Sequence, residues 1–289
     1  MLKRKWLLIL LAPLALLLIG WGAFAYDPIP KDAMNPKPAI IAHRGASGSA
    51  PENTLSAFKK ALEIGVDYVE LDIHLSKDGE IIVIHDATLD RTTNGSGAVQ
   101  DKTLAELQQL DAGSWYGEAF KNEPLPTLRQ VLELVNGRTK VLIEIKGPSK
   151  EGLYAGIEQK TLDLIKEFNA YSWCEMQSFH PEVVEHWLAI DTQVTVYQLI
   201  VGAMAGVSYD DQVRWGNSIG NDGRVAGINP NLKFAHAKYI KKLHQAGYVC
   251  FVWTVNETED MQTLMRKGVD GIITNYPEKL KKLIEEGAK

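Results

Sequence analysis

From Ala39 onward, short runs of Ile, Val and Leu alternate with amphipathic stretches of helical period, and this alternation narrows the fold more than any other feature of the 289-residue chain. Strands are expected at 39–42, 68–74, 80–85, 141–146, 175–179, 194–199, 225–229, 249–255 and 271–274. Between them, helices are expected at 54–64, 128–135, 153–168, 181–189, 237–246, 257–266 and 277–286, with a short one at 104–110. Start and stop residues agree: Thr127 is an N-cap, Pro181 opens a first turn, and Gly65, Gly247 and Gly268 close three helices. Repeated βα units require a parallel sheet covered by helices. Roughly 250 residues of them suit a closed barrel better than an open sheet. The expected class is therefore α/β, a (β/α)8 TIM barrel with a small insertion and an N-terminal hydrophobic helix. Nine strand candidates compete for eight staves. The link 75–79 is too short for a parallel crossover, and Asp78-Gly79 signals a hairpin turn, so 68–74 and 80–85 should pair antiparallel. That pairing would bring His85 roughly opposite Glu70.

At 45% hydrophobic and 23% charged residues, the composition is that of a globular protein. A net charge of −5 leaves no basic field to hold nucleic acid, so an anionic substrate would need positive charge gathered locally. Cys174 and Cys250 lie in apolar runs and read as buried core rather than a disulfide framework. At the start, Lys3-Arg4-Lys5 precedes an uncharged, Leu-rich run over residues 6–26 that ends near Ala23-Phe24-Ala25. This is long enough to span a bilayer and also has the form of a cleavable signal. The chain thus divides into a transmembrane anchor or signal peptide (1–26), a proline-containing linker (27–38) and a barrel domain (39–289) with an insertion at about 86–126. Basic residues stay on the cytoplasmic side, so the barrel is expected outside the cytoplasm, membrane-anchored or secreted/periplasmic. Membrane contact would run through the first segment if it is not cleaved.

Four polar motifs interrupt the apolar strands: His43-Arg44-Gly45, Glu70-Leu71-Asp72, His85-Asp86 and Glu144-Ile145-Lys146. Such groups are costly to bury unless they pair with one another or with a metal. Strand alternation puts Glu70 and Asp72 on one face, and Glu144 and Lys146 on one face of a later strand. If Leu71, Ile73, Ile143 and Ile145 pack outward, three carboxylates converge inside the barrel and call for a cation. Oxygen-only ligation favours a hard ion, Mg²⁺ or Ca²⁺. The bland alternatives are a Glu144–Lys146 strand ion pair and a solvated edge carrying Glu70 and Asp72. His43 and His85 would form an acid–base pair, Arg44 would clamp an oxyanion and Lys146 would add point charge. His74, His180, His186, His236 and His244 lie outside the motifs and read as structural.

Together with Pro51-Glu52-Asn53-Thr54, Lys77-Asp78-Gly79, Pro126-Thr127-Leu128, Ser178-Phe179, Trp253-Thr254-Val255-Asn256 and the run from Gly268 to Pro277, these motifs resemble the glycerophosphodiester phosphodiesterases. The resemblance implies a TIM-barrel phosphodiesterase that uses a divalent cation on a small-molecule phosphodiester. It implies Glu70, Asp72 and Glu144 as metal ligands, His43 and His85 as acid and base, and Arg44 and Lys146 on the phosphate. Phe179 and Trp253 become pocket walls, although Trp253 also reads as an ordinary core aromatic, and 86–126 becomes an insertion beside the glycerol end of the substrate. Asn275 departs from the Asp that many relatives carry, and it falls outside the implied catalytic set. Two other readings stay open: a lysophospholipase D acting on membrane lysophospholipids, and a non-catalytic exported binding module. The second predicts a lost site residue, and none is lost.

Overall fold

The computed structural model describes residue 29 and residues 33–147, 152–201 and 225–287. The hydrophobic segment at 6–26 and the signal-or-anchor question lie outside these residues. Among the described residues, no helix is long and apolar enough to cross a membrane.

Strand β1 (Ala39–Ala42) leads through helix α1 (Leu55–Ile64) to β2 (Tyr68–Leu75) and its hairpin partner β3 (Ile81–Val83). The insertion carries α2 (Leu104–Leu107), and α3 (Leu128–Val135) then returns the chain to β4 (Lys140–Ile145). There follow α4 (Ile157–Glu167), β5 (Cys174–Ser178), α5 (Pro181–Ile190), β6 (Thr195–Ile200) and β7 (Val225–Pro230). Helix α6 (Ala237–Gln245), β8 (Phe251–Val252), α7 (Thr258–Lys267), β9 (Gly271–Thr274) and α8 (Pro277–Gly287) complete the described chain. Eight parallel strands run in the order β7-β6-β5-β4-β2-β1-β9-β8, with β3 antiparallel on β2. The seam between β7 and β8 is joined by two isolated bridges, Gly227 to Val249 and Asn231 to Trp253, which bring the sheet into a nearly closed barrel. The expected (β/α)8 class is the one observed.

The strand pleat sorts the side chains. Val69, Leu71, Ile73, Val141, Ile143 and Ile145 point outward into the layer shared with the helices. Ile41, Tyr68, Leu142, Tyr197, Phe251 and Ile273 pack inside the barrel as its floor. Each such fully buried side chain contributes about 1.5–3 kcal/mol relative to exposure. Local signals act as expected at several ends. Thr54 and Thr127 cap α1 and α3 through their hydroxyls, and Thr127 forms a capping box with Gln130. Gly65 and Gly268 end α1 and α7 in the left-handed region.

Element ends shift by a few residues, and three departures from expectation have a clear cause or consequence. Helix α4 begins at Ile157 rather than 153, because Gly156 at φ 77° breaks the helical path. The run 249–255 reduces to the two residues of β8, since the chain there meets β7 only through the irregular bridges of the seam. In the hairpin, Ile73 faces Val83 and Leu75 faces Ile81, and the Ile84 N–H donates to the Asp72 carbonyl at 3.0 Å. Continued by one residue, this register sets His85 opposite Leu71 rather than Glu70. The insertion buries its own small core of Ile82, Ile84, Leu89, Val99, Leu107, Ala112 and Leu125. Both cysteines are free and buried.

Candidate active site

Parallel register aligns Asp72 of β2 with Glu144 of β4, and Glu144 with Gln177 of β5. Residues two apart share a face, so Glu70, Asp72, Glu144, Lys146 and Gln177 all project inward at the carboxyl-terminal rim. One oxygen from each of Glu70, Asp72 and Glu144 lies within 4.8 Å of the others, and all three residues are buried. The edge-strand alternative for Glu70 and Asp72 is thereby removed.

Cations and amides hold this cluster. Lys146 Nζ is 3.1 Å from Asp72 Oδ1 and 2.5 Å from Glu144 Oε1, and Arg44 Nε is 3.3 Å from Asp72 Oδ2. The Arg44 backbone N–H donates to Glu70 Oε2 at 2.9 Å, in a turn where Arg44 takes φ 56° and Gly45 φ 78°. Asn53 Nδ2 donates to Asp72 Oδ2 at 2.9 Å, and Gln177 Nε2 to Glu70 Oε1 at 3.3 Å. Three carboxylates against two cations still leave one surplus negative charge. Burial, reinforced by Asp72 and Glu144, accordingly pushes the Glu70 carboxyl well above its ordinary value. Burial pushes Glu144 to about 7 even against the attraction of Lys146. Asp72 goes the other way: its burial is outweighed by Lys146 and Arg44, which hold it well below the carboxylate range. Asp72 Oδ1 and Glu144 Oε1 are buried and share the Lys146 ammonium as their partner. Converging carboxylate oxygens of this kind, with surplus negative charge, fit a hard divalent cation.

The two histidines flank the cluster and differ in their partners. His43 follows β1, which pairs with β9 so that Ala42 faces Thr274. Its Nδ1 therefore meets Asn275 Oδ1 at 2.6 Å, directly past the end of β9. His85 follows the descending strand of the hairpin, and its Nδ1 lies 2.6 Å from Asp86 Oδ1. Both oxygens accept, so each Nδ1 carries the proton and each Nε2 keeps its lone pair. Burial and the neighbouring Arg44 lower the His43 pKa to about 3, and burial lowers that of His85. Both shifts favour the neutral ring. His74 hydrogen-bonds the Tyr154 hydroxyl and the His85 carbonyl, a structural role as expected.

One pocket is lined by His43, Arg44, Glu70, His85, Glu144 and Lys146 on its polar side. Phe179 and Trp253 form an apolar wall together with Leu199 and Ile273. Their rings meet edge to face at 5.2 Å, and Lys146 Nζ lies 5.7 Å from the Phe179 centroid. All nine residues singled out from the sequence thus meet at this rim, Asp72 within the carboxylate cluster just described. Sequence reasoning missed Asn275, Gln177, Asn53 and the ion pairs around Glu52 and Arg91. Arg44 Nη1 donates to Glu52 Oε1 at 2.8 Å, and Arg91 donates to both Glu52 oxygens at 2.8 Å. Arg91 Nε also donates to Asp86 Oδ2 at 2.6 Å. For Asn275 a signal existed: it follows the last strand as His43 follows the first, and those strands adjoin in any closed barrel.

Known proteins match this arrangement. The family described as the glycerophosphoryl diester phosphodiesterase family matches residues 43–279. A glycerophosphodiester phosphodiesterase of Caldanaerobacter subterraneus subsp. tengcongensis is 39% identical over 251 residues, covering 87% of this chain and 99% of its own. One from Bacillus subtilis is 32% identical over 286 residues, covering 92% and 95%. Among solved structures, an Oleispira antarctica phosphodiesterase in complex with the product sn-glycerol-3-phosphate has a TM-score of 0.74 at 30% identity, covering 86% of this chain and 97% of that one. With the match spanning both histidine motifs and all three carboxylates, this chain belongs to the glycerophosphoryl diester phosphodiesterase family.

Proposed function

We propose that this chain, a phosphoric diester hydrolase by its family, cleaves small glycerophosphodiesters to glycerol 3-phosphate and an alcohol by proton transfer between His43 and His85. The observation that carries the reading is the pair of imidazoles, each fixed through Nδ1, facing one pocket with Arg44, Lys146 and three clustered carboxylates. The Oleispira antarctica relative, seen with sn-glycerol-3-phosphate, supports the product assignment. Glu70, Asp72 and Glu144 would hold a divalent cation, Mg²⁺ or Ca²⁺, which when bound supplies Lewis-acid charge to the phosphate. Arg44 and Lys146 bind and orient the phosphate oxygens, since two fixed cations offset the charge that gathers there. One neutral imidazole takes the proton of the attacking hydroxyl at Nε2. The other, entering that step protonated at Nε2, gives this proton to the departing alcohol oxygen, so that the two rings end with their protonation states exchanged. Phe179 and Trp253 exclude water from the apolar side of the pocket. The barrel acts outside the cytoplasm, a localisation supported by Lys3–Lys5 preceding the uncharged run at 6–26.

Release of the head-group alcohol, choline or ethanolamine, from glycerophosphocholine, glycerophosphoethanolamine and lysophosphatidylcholine, with each cation in turn, tests the proposal. Activity on the first two that is lost with chelator, and lowered about 10²–10⁴-fold in His43→Ala and His85→Ala, is expected. Faster turnover of lysophosphatidylcholine would move the assignment to a lysophospholipase D. No hydrolysis across the panel, or a fully active double histidine variant, would overturn the reading.

A further inference from the structure

The two halves of the site stand on different elements: Arg44 on the turn after β1, and His85 at the foot of the β2–β3 hairpin. A single side chain from the insertion joins them. The Arg91 guanidinium places Nη1 and Nη2 each 2.8 Å from a Glu52 oxygen, and Nε 2.6 Å from Asp86 Oδ2. Nη2 also reaches Asp86 Oδ1 at 3.2 Å. Beyond Glu52 lies Arg44, bonded at 2.8 Å, and beyond Asp86 lies His85, bonded at 2.6 Å. The chain Arg44–Glu52–Arg91–Asp86–His85 is therefore continuous, with charges alternating from Arg44 to Asp86.

We infer that Arg91 is the positioning residue of the active site, a planar clamp that holds Asp86 and Glu52 so that His85 and Arg44 present their reacting faces together. Geometry selects arginine for this place. Only a guanidinium offers parallel N–H pairs in two directions, one edge for each carboxylate, whereas an ammonium is a point charge on a flexible stem. The Asp86 carboxylate fixes the His85 tautomer, and Asp86 itself stands at the start of the long insertion with a half-exposed side chain. Without Arg91 it has a second acceptor oxygen and no partner to hold its plane. The Glu52 carboxylate is shared between Arg44 and Arg91 and would turn wholly to Arg44, drawing that guanidinium away from the phosphate. Arg91 touches neither the three carboxylates nor the pocket lining, so its effect runs through orientation alone.

The inference rests on the reading of His85 as a proton-transfer group, and the test separates the two. Arg91→Ala and Arg91→Lys are assayed for kcat and KM on glycerophosphocholine, with and without millimolar guanidinium, and melting temperatures are recorded alongside. The expected result is a kcat loss of about 10–100-fold in Arg91→Ala, partial recovery with guanidinium, and little recovery in Arg91→Lys. Histidine ¹⁵N NMR should show the His85 ring losing its single Nδ1–H tautomer in Arg91→Ala. Wild-type kcat in Arg91→Ala beside an inactive His85→Ala overturns the clamp and leaves the proposed activity standing. An active His85→Ala overturns the proposed activity instead. A kcat loss that guanidinium does not restore, with the His85 tautomer unchanged or with a matching fall in melting temperature of both variants, also refutes the clamp and makes Arg91 a fold-stabilising residue.

Discussion

Cation binding to this site should expel a proton, and the number can be worked from the cluster. Glu70, Asp72 and Glu144 bring three negative charges within 4.8 Å, against the two positive charges of Arg44 and Lys146. At an effective dielectric of about 20, two like charges at that distance repel by about 3.5 kcal/mol. Burial is the first cause of the Glu144 carboxyl standing at about 7 against the pull of Lys146, and repulsion from Asp72 adds to it. In cation-free protein the surplus charge is therefore relieved by protonation, and a divalent ion takes the proton's place. Titrating Mg²⁺ or Ca²⁺ into chelator-treated protein at pH 6, in buffers of different ionisation enthalpy, should report release of about one proton per ion. The release should shrink as pH rises through 7, and it should fall in Glu144→Gln. Stability follows the same sign. The folded pKa of Glu144 lies above its ordinary 4.5, so cation-free protein loses stability as pH climbs from 4.5 through about 7. Saturating ion offsets that loss. Binding heats that do not depend on buffer at pH 6, or an unchanged proton count in both Glu70→Gln and Glu144→Gln, would refute the charge argument.

Three further outcomes are expected. Asn275→Leu removes the acceptor on His43 Nδ1 while keeping the side chain's shape, and should lower kcat by about 10–100-fold with KM little changed; steady-state kinetics decide it. Gly45→Ala should destabilise by about 2–4 kcal/mol, because a Cβ there would stand 2.7 Å from the Ala57 backbone at φ +78°; denaturant melts measure the loss. His244 pairs with Asp270 at 2.9 Å, and this hydrogen bond raises its pKa, so the pair stabilises the fold below the ordinary 6.5 and fades as pH rises through the raised value. His244→Gln should flatten that part of the stability–pH curve.

Much of this site was legible because strand periodicity and chemistry coincide. Glu70 and Asp72, or Glu144 and Lys146, are two apart in apolar strands, so one inward face follows from the pleat alone. The hairpin was readable from Asp78-Gly79 and a link too short to cross over, although its register was legible only to within one residue. Side chains that act through loop geometry were opaque. Arg91 lies in the insertion, where no period fixes direction, and Asn53 reaches Asp72 because it adopts φ 56° before α1. Asn275 reads from the sequence as a departure outside the catalytic set, yet the β1–β9 pairing makes it the partner of His43. The irregular β7–β8 seam was likewise hidden, since 249–255 has the composition of a full strand but only two of its residues pair regularly.

The hairpin makes one half of the chemistry answerable to a distant turn. His85 does not stand on a barrel stave. It hangs from a strand that rises above the rim and comes back down, and its height is metered by the tight loop where Ser76 Oγ caps Asp78 and accepts from the Glu80 N–H. That loop lies six residues from His85, about 20 Å of extended chain. A slip of one residue there would turn the imidazole to the opposite face, leaving barrel, carboxylates and His43 untouched. Lengthening or shortening that loop is thus a dial on proton transfer that leaves the ion cage as it was.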